Sequence, residues 1–209
     1  MNALEQTAPI RLALLTSRGG GHCMHIAEQI EAGAIHDIEL VAVVTENPQA
    51  AVIEKCRQRA IAVHVVPWPG ATRRAEHERA LLAALAPLRV DLVGLVGYLR
   101  LVGGDFLAAW QGRLFNLHPS LLPAYPGLNA IERAFAAGEA NLGATLHWVD
   151  AGCDTGAPIM QRGLQRAPHE TCESVAARVH ALEARLLTDA LNLLAFLGSR
   201  RESLTEALP

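Results

Sequence analysis

The chain has 209 residues, of which 51% are hydrophobic and 19% are charged, and its formal net charge is −3. A chain of this length and composition can bury a complete core, which argues against intrinsic disorder. The small acidic excess provides no broadly basic surface, so we expect no nucleic-acid partner. We also expect no membrane association, since no apolar run reaches the roughly 18 residues of a membrane helix.

The cysteines and the N-terminus indicate a reducing compartment. The first residues lack the pattern of a secretion signal, and no two cysteines have C-x-x-C spacing: Cys23, Cys56, Cys153 and Cys172. We therefore expect reduced thiols and a cytoplasmic location. His22, Cys23 and His25 are close in sequence, but they match no standard zinc site and lack a fourth ligand. We therefore predict no metal.

The first half of the chain alternates between strand-like and helix-like segments. Short apolar runs, typical of strands buried on both faces, cover 11–17, 37–46, 61–68 and 90–98. Segments with a helical composition lie at 25–35, 48–59 and 71–88. This alternation predicts an α/β fold in which a mostly parallel central sheet has helices on both faces.

The pattern changes after about residue 112. A short strand over 113–118 is predicted to stop at Pro119, and the proline-rich segment that follows cannot be a regular helix. The next predicted elements are a helix over 131–139, a strand over 144–150, a loop over 151–158 and a strand over 158–164. Thr171 is the predicted N-cap of an amphipathic helix that ends near Leu197.

The chain contains neither an internal repeat nor a flexible linker. We therefore predict a single domain over residues 11–197, which is an ordinary size for a domain. Residues 1–10 are predicted to be a lead-in and residues 198–209 a C-terminal tail.

A glycine-rich loop, Ser17-Arg18-Gly19-Gly20-Gly21-His22, joins the first predicted strand to the first predicted helix. Glycines let the backbone approach an anion closely, and a helix N-terminus offers free N–H groups at the positive end of the helix dipole. The loop therefore favours binding of a phosphate or a carboxylate, although its glycine spacing does not match the dinucleotide fingerprint. A tight turn without a ligand is the alternative.

Asn116 and His118 lie at the end of the predicted strand over 113–118. Side chains two residues apart in a strand point to the same side, so these two converge on one space beside the sheet. An amide stabilises an oxyanion and an imidazole moves a proton, so they form a usable catalytic pair. The alternative is a histidine that makes a structural hydrogen bond at the strand end.

The loop over 150–156 contains two aspartates, Asp150 and Asp154, among glycines. They could bind a cation or form Asx turns, and the turn is the simpler interpretation. A carboxylate from this loop near His118 would orient the imidazole ring. Spacing alone does not establish that contact.

Five segments together resemble the folate-dependent formyltransferase family: LLTSRGGGH (14–22), VGYLRLV (96–102), RLFNLHPSLLPAYPGLNA (113–130), GATLHWVDAGCDTGAPIMQ (143–161) and ARVHALEARLL (177–187). The string N-x-H-P-S-L-L-P-x-Y-P-G is highly specific. The resemblance implies a Rossmann-like formyltransferase fold and direct transfer of a formyl group from 10-formyltetrahydrofolate to an amine, without a metal. The implied amine is phosphoribosylglycinamide, an intermediate of purine biosynthesis.

The same resemblance implies a catalytic trio of Asn116, His118 and Asp154. Asn116 would donate a hydrogen bond to the developing oxyanion, His118 would transfer a proton, and Asp154 would hold the histidine. The folate pocket would comprise Leu99, Arg100, Leu101, Val102, Gly152 and Cys153. The acceptor site would comprise Gly19, Gly20, Gly21, His22, Arg74 and Glu183. The resemblance also implies a cis bond between Leu122 and Pro123.

Several alternatives stay open. The family usually carries a Ser-Asn pair at the positions of Gly21 and His22, where it holds the substrate phosphate. An amino sugar or an amino-acid-derived metabolite is therefore an alternative acceptor. Hydrolysis of the folate donor and a non-catalytic binding module are further alternatives, although a pure binder does not need the trio. We expect a monomer or a homodimer.

Overall fold

The computed structural model describes residues 8–198. Its strands are β1 (Ile10–Leu15), β2 (Ile38–Thr45), β3 (Val63–Val65), β4 (Leu92–Leu95), β5 (Leu114–His118), β6 (Asn141–Trp148) and β7 (Pro158–Gln165). Its α-helices are α1 (Gly21–Glu31), α2 (Val52–Gln58), α3 (Arg74–Leu85), α4 (Gly104–Ala109), α5 (Ala130–Ala136) and α6 (Cys172–Gly198). The predicted lead-in and tail fall largely outside the described residues, and Ile10 already belongs to β1.

The strands form one sheet in the order β3-β2-β1-β4-β5-β6-β7. From β1 the chain moves outward through β2 and β3, and it then returns to place β4 on the other side of β1. Strands β1 to β5 run parallel, whereas β6 and β7 are antiparallel to their neighbours, which confirms a mostly parallel sheet. The connections that leave β1 and β4 diverge, and ligands bind in the crevice that such a reversal opens.

Helices cover both faces of this sheet, as predicted. Alternating side chains of β1 enter two separate cores, with Leu12 and Leu14 in one and Ala13 and Leu15 in the other. The first core also contains residues of α1, α2 and α6, and the second contains residues of α3 and α4. A strand buried on both faces has an almost continuous apolar sequence, which explains why the pattern located these strands.

Two elements differ from the sequence prediction. Strand β3 spans Val63–Val65 at the edge of the sheet, whereas the apolar pattern predicted 61–68. The six-residue helix α4 has no predicted counterpart, because Gly103 and Gly104 obscure its helical pattern. It forms nonetheless, since Phe106 is fully buried in the second core. Tertiary packing therefore decides the structure of this segment.

The long C-terminal helix begins as predicted. Ser174 N donates a hydrogen bond to Thr171 Oγ1 at 3.2 Å, so Thr171 caps the N-terminus of α6. Helix α6 packs against β6, β7, α1 and α5. No helix within residues 8–198 is both long enough and apolar enough to cross a membrane.

The loop between β5 and α5 is fastened to β6. Ser120 Oγ donates to the carbonyl of Ala124 at 2.6 Å, and Leu122 N donates to Thr145 Oγ1 at 3.1 Å. The Leu122–Pro123 peptide bond is cis, as the family resemblance implied. These contacts hold the loop over the end of β5, where the strand carries its polar side chains.

Candidate active site

A cavity of about 1330 Å³ opens at the carboxyl ends of β1, β4 and β5. Its walls come from the glycine-rich loop before α1, the segment after β4, the end of β5, the loop after β6 and the cavity-facing side of α6. Sites for one drug-sized ligand measure about 300–1,000 Å³. The cavity is therefore large enough for two substrates side by side.

Asp154 contacts the other polar side chains of one wall of the cavity. Its Oδ1 accepts a hydrogen bond from Asn116 Nδ2 at 3.1 Å, and its Oδ2 lies 3.2 Å from His118 Nδ1. Gly127 N also donates to Oδ2, at 2.7 Å. The structure thus brings together Asn116, His118 and Asp154, which are separated by up to 38 positions in the sequence.

Both ring nitrogens of His118 face hydrogen-bond acceptors. Nδ1 faces the Asp154 carboxylate, and Nε2 lies 2.9 Å from the carbonyl oxygen of Tyr125. A carbonyl oxygen only accepts, so Nε2 carries a proton in this arrangement. A second proton on Nδ1 would also find a partner in Asp154. The buried imidazole is therefore fixed in orientation, and a proton on each of its two nitrogens has a hydrogen-bond acceptor.

His147 is a fourth member of this wall that the sequence analysis missed. It lies opposite Asn116 in the antiparallel pairing of β5 and β6, and its Nε2 is 3.1 Å from Asn116 Nδ2. His147 Nδ1 lies 2.8 Å from the carbonyl of Trp148, so Nδ1 carries the proton and Nε2 can accept from Asn116. Alternation along β6 places His147 on one face, but the β5–β6 register was needed to pair it with Asn116.

The surroundings of Asp154 keep its carboxylate ionised. Burial alone would raise the pKa of this carboxyl group. Hydrogen bonds from His147 and from the backbone N–H of Gly127, together with the electrostatic effect of His118, outweigh burial and lower the pKa to about 2. Asp154 itself has a left-handed backbone conformation, with φ 55°, which aspartate tolerates better than most residues. The wall thus contains a fixed anion that orders two imidazoles and one amide.

The glycine-rich loop forms a close turn at the opposite end of the cavity. Gly20 has φ 60°, and a Cβ atom at this position would lie 2.2 Å from Val52 Cγ2, so only glycine fits. Lys55 Nζ donates to the carbonyl of Gly19 at 2.8 Å and holds the loop against α2. The loop delivers the chain into α1, and the N-terminus of α1 faces the cavity through Gly21 and His22.

Glu183 and two histidines form a hydrogen-bonded cluster beside this loop. Glu183 is buried, and its Oε2 lies 3.2 Å from His22 Nε2 and 2.7 Å from His180 Nδ1. Burial raises the pKa of Glu183, but the bonds from His180 and His22 prevail and lower it. His180 is the second functional candidate that the sequence analysis missed, although its spacing of three residues from Glu183 places both on one side of a helix.

One ligand atom each of His22, His180 and Glu183 lies within 4.8 Å of the other two, close enough to hold a metal ion, although the distances to Glu183 are those of hydrogen bonds. Two zinc ligands at 2.0–2.1 Å from the ion stand about 3.3 Å apart, whereas His180 Nδ1 and Glu183 Oε2 are 2.7 Å apart. Cys23, which sequence proximity grouped with His22, is fully buried in the core. His25 Nε2 lies 3.0 Å from Thr188 Oγ1 of α6, so it contacts a different group.

The segment after β4 and the loop after β6 line the space between the two ends. Leu99, Arg100, Leu101 and Val102 all border the cavity, as do Gly152 and Cys153. Leu101 is 65% exposed, so this segment adds apolar surface beside the cavity. Arg100 Nε donates a hydrogen bond to the buried carboxylate of Glu46 at 3.0 Å, so a contact with the residue that follows β2 fixes this segment.

Asp150 has a structural role in the loop after β6. Its Oδ1 accepts hydrogen bonds from Gly152 N at 3.0 Å and from Thr155 Oγ1 at 2.7 Å, which is an Asx turn. The turn interpretation is therefore correct for Asp150. Asp154, in contrast, faces His118 and Asn116, as described above.

The sequence analysis assigned Arg74 to the acceptor site, and the structure places it apart from the other residues of that set. Arg74 is the first residue of α3, is exposed and does not border the cavity. Its guanidinium lies 3.4 Å from the buried carboxylate of Glu78, one turn further along the helix, and close to the backbone of Gly103. Helix α3 packs on the face of the sheet opposite α1 and α6, which separates Arg74 from Glu183.

Comparison with known proteins identifies relatives that cover almost the whole chain. Residues 10–191 match the family described as Formyl transferase. The phosphoribosylglycinamide formyltransferase of Bacillus subtilis is 37% identical over 166 residues, which are 79% of this chain and 85% of that protein. The trifunctional purine biosynthetic protein adenosine-3 of Drosophila melanogaster is 35% identical over 186 residues, 88% of this chain and 14% of that protein.

Solved structures have the same fold. The phosphoribosylglycinamide formyltransferase of Bacillus halodurans superposes with a TM-score of 0.82 at 35% identity, covering 88% of this chain and 94% of that one. Glycinamide ribonucleotide transformylase 1 of Symbiobacterium toebii gives a TM-score of 0.85 at 33% identity, with 93% and 92% covered. The cavity, its polar wall and these matches lead to one conclusion: this chain belongs to the formyl transferase family.

Proposed function

We propose that the protein transfers the formyl group of 10-formyltetrahydrofolate to the primary amine of phosphoribosylglycinamide. The observation that supports this most is the contact of one ionised aspartate with both an amide and an imidazole on one wall of a two-substrate cavity. Relatives at 35–37% identity that are named for this activity or for purine biosynthesis support the same reaction. Residues 11–197 are proposed to form the single formyltransferase domain.

The proposed transfer is direct, and each side chain has a distinct role. The amine nitrogen attacks the formyl carbon, the carbonyl oxygen becomes an oxyanion, and the bond from carbon to the folate nitrogen then breaks. The amine loses one proton and the folate nitrogen gains one. Asn116 donates to the oxyanion, His118 carries the proton, and Asp154 fixes both groups.

Oxyanion binding requires a rearrangement of Asn116. Its Nδ2 has two hydrogens, and these face Asp154 Oδ1 and His147 Nε2, each at 3.1 Å. Catalytic hydrogen bonds often adjust when the substrates bind. Protonation of His147 at Nε2 would release one hydrogen of Asn116, because a protonated nitrogen no longer accepts. His147 is therefore proposed to control the availability of the oxyanion donor.

The two substrates are proposed to occupy opposite ends of the cavity. The flat, apolar pterin ring suits the segment Leu99–Val102, with the backbone around Gly152 and Cys153 at its polar edge. The acceptor suits the glycine-rich loop and Glu183, where the N-terminus of α1 attracts a phosphate. A cytoplasmic location and a monomeric or homodimeric state stay predictions from the sequence.

A different small amine is the second candidate acceptor. The observation that favours it is the composition of the acceptor end, where Gly21 offers only a backbone N–H and His22 is bonded to Glu183. A hydroxyl and an amide that would hold a phosphate are therefore replaced by an imidazole. Such a site can still bind an anion, although with different geometry.

A formyl-transfer assay tests the proposal. The purified protein and 10-formyltetrahydrofolate are incubated with phosphoribosylglycinamide, with its dephosphorylated form, with an amino sugar phosphate, and with no amine. We expect the highest kcat/KM for phosphoribosylglycinamide and negligible release of formate without amine. A higher kcat/KM for another amine would overturn the acceptor assignment, and rapid formate release alone would identify a hydrolase.

A further inference from the structure

The segment 125–127, between β5 and α5, contacts two groups of the polar wall through its backbone. The carbonyl oxygen of Tyr125 lies 2.9 Å from His118 Nε2, and Gly127 N donates a hydrogen bond to Asp154 Oδ2 at 2.7 Å. Tyr125 and Gly127 both have positive φ angles, 55° and 80°, so the chain turns sharply here and presents two successive peptide groups to the wall. The positions of both wall residues therefore depend on how this segment is held.

Arg133 of α5 contacts the same segment from the opposite side. Its Nη1 donates a hydrogen bond to the carbonyl oxygen of Pro126 at 2.6 Å, and the carbonyl oxygen of Leu128 lies 3.4 Å away. The carbonyl of Pro126 and the N–H of Gly127 belong to one peptide group, which is planar and trans, so its C=O and N–H point in opposite directions. One peptide group therefore joins the Arg133 guanidinium to the Asp154 carboxylate.

We propose that Arg133 is a positioning residue for formyl transfer, and that it acts on Asp154 through the peptide group between Pro126 and Gly127. The inference rests on the proposed function, since it assigns a further residue to that reaction. A cation at the carbonyl end of a peptide group polarises the group, and linked hydrogen bonds strengthen one another, so the bond from the N–H to Asp154 becomes stronger. Arg133 thus fixes the carboxylate that orders the amide and the imidazoles of the wall.

Arg133 touches neither of the proposed substrate sites. The residue is exposed and does not border the cavity, whereas Gly127 does border it. An effect of Arg133 on the reaction therefore passes through the backbone of the segment rather than through contact with a substrate.

The Tyr125 side chain restricts the guanidinium. The centre of the guanidinium lies 5.6 Å from the centroid of the Tyr125 ring, which is a cation–π contact. The ring is held in turn, because Tyr125 OH donates to Glu139 Oε1 at 2.7 Å and the ring packs on an apolar cluster formed by α5, β6 and α6. An exposed arginine side chain usually occupies many rotamers, but the ring and the Pro126 carbonyl reduce their number here.

A purely structural role for Arg133 is the competing explanation. Its contacts with Pro126 and Leu128 join α5 to the segment that precedes this helix, and such contacts stabilise the fold. A structural contact changes the free energy of unfolding, but its effect on kcat does not depend on the side chain at position 154. The proposed role lowers kcat with both KM values retained, and it requires the Asp154 carboxylate.

A double-mutant cycle on the single-turnover rate separates the two explanations. Arg133→Met removes the donor, and we expect it to lower the rate about tenfold, less than the roughly hundredfold loss that a displacement of about 1 Å can cause. Arg133→Lys keeps the charge and a donor, so it should recover most of the rate. In the Asp154→Gly background, where glycine suits the positive φ, Arg133→Met should lower the rate by less than about twofold.

Arg113→Met is the matched control. Arg113 also donates to a backbone carbonyl, that of Ala109 at 2.8 Å, and its guanidinium lies 4.9 Å from the centroid of the Trp110 ring. It precedes β5, at the end of the strand far from the polar wall. Its replacement should leave the rate and both KM values as in the wild type.

The backbone amide signal of Gly127 in ¹H–¹⁵N NMR supplies a readout that needs no activity. We expect the proton of this amide to shift upfield in Arg133→Met, because its hydrogen bond to Asp154 weakens, and to keep its wild-type position in Arg113→Met. An unchanged signal in Arg133→Met, or an equal loss of rate from Arg133→Met with and without the Asp154 carboxylate, would overturn the inference. If no amine is formylated, the proposed function fails, whereas the upfield shift would still support the link between Arg133 and Asp154.

Discussion

The two ends of the cavity differ in how their polar groups are held. At the wall proposed for formyl transfer, which Asn116, His118, His147 and Asp154 form, the amide and both imidazoles contact one carboxylate, and both histidines are buried. At the acceptor end, a glycine turn meets histidines that are partly or largely open to solvent. The first region is preorganised by mutual hydrogen bonds, and the second leaves donors free for a ligand.

This contrast indicates a division of labour. Groups that stabilise a transition state need fixed positions, since small displacements reduce the rate strongly. Groups that recognise the rest of a substrate can change without loss of the chemistry, because the reaction takes place elsewhere. The departures from the pattern that the family resemblance implies, Gly21 and His22, lie at the proposed acceptor end, whereas the proposed transfer wall keeps its motif.

The largest effect is expected from His118→Ala. Loss of proton transfer should lower kcat by about 10²- to 10⁴-fold, while the dissociation constant of the folate donor stays unchanged. Steady-state kinetics with phosphoribosylglycinamide, together with donor binding by fluorescence, measure both quantities. His36→Ala is the control for removing an imidazole. Unchanged turnover in His118→Ala would remove the transfer wall from the mechanism.

Asn116→Ala should lower kcat almost as much as His118→Ala does. Removing one oxyanion donor typically lowers kcat by about 10²- to 10³-fold, and we expect the acceptor KM to stay near the wild-type value. The same kinetic assay measures the effect. An increase in KM with kcat preserved would instead place Asn116 among the recognition groups and erase the difference between the two ends.

Asp154→Asn should affect stability as well as rate. The pKa of Asp154 is about 2 in the folded protein, below the ordinary 3.8, so its charge stabilises the fold above about pH 3.8. That contribution, roughly 2 kcal/mol at neutral pH, is lost as the pH falls through 2. Urea unfolding of wild type and variant at several pH values measures the difference. The difference in the free energy of unfolding between wild type and variant should become smaller as the pH falls.

The matched control for Asp154→Asn is Asp189→Asn. Asp189 is exposed on α6 and pairs with Arg162 at the surface. Its replacement should change the free energy of unfolding little, because surface ion pairs contribute little. Equal destabilisation by the two substitutions would contradict the special environment of Asp154.

The sequence predicted the catalytic candidates themselves more successfully than it predicted the contacts between them. Period-2 alternation placed Asn116 and His118 on one side of β5, and the structure has them there. The contact of both residues with Asp154 depends on how the loop after β6 folds back, which no local pattern encodes. His147 required the pairing of β5 with β6, and His180 required the rotation of α6 about its axis.

The fold was more predictable than the site for a physical reason. Strands buried on both faces have long apolar runs, so β1, β2 and β4 were recognisable from composition alone. Helix α4 and the position of Arg74 depend on packing between distant segments. The position of Arg74 relative to the cavity could not be predicted, because a helix can be predicted without knowing which side of the sheet it covers.

The smallest effect is expected from Lys55→Ala, which loosens the acceptor end. Lys55 Nζ holds the carbonyl of Gly19, but the side chain is exposed, so the acceptor KM should rise by less than about tenfold with kcat retained. Arg57→Ala, also exposed on α2, is the control and should leave KM unchanged. A large fall in kcat would show that the loop also shapes the transfer wall.

The single-turnover rate of formyl transfer at saturating phosphoribosylglycinamide tests the division of labour most directly. We predict that His118→Ala lowers the single-turnover rate strongly. Glu183→Gln should retain the wild-type rate but need a higher acceptor concentration to reach saturation. Equal rate losses in the two variants at saturation would contradict the account, because chemistry and recognition would then share the same groups.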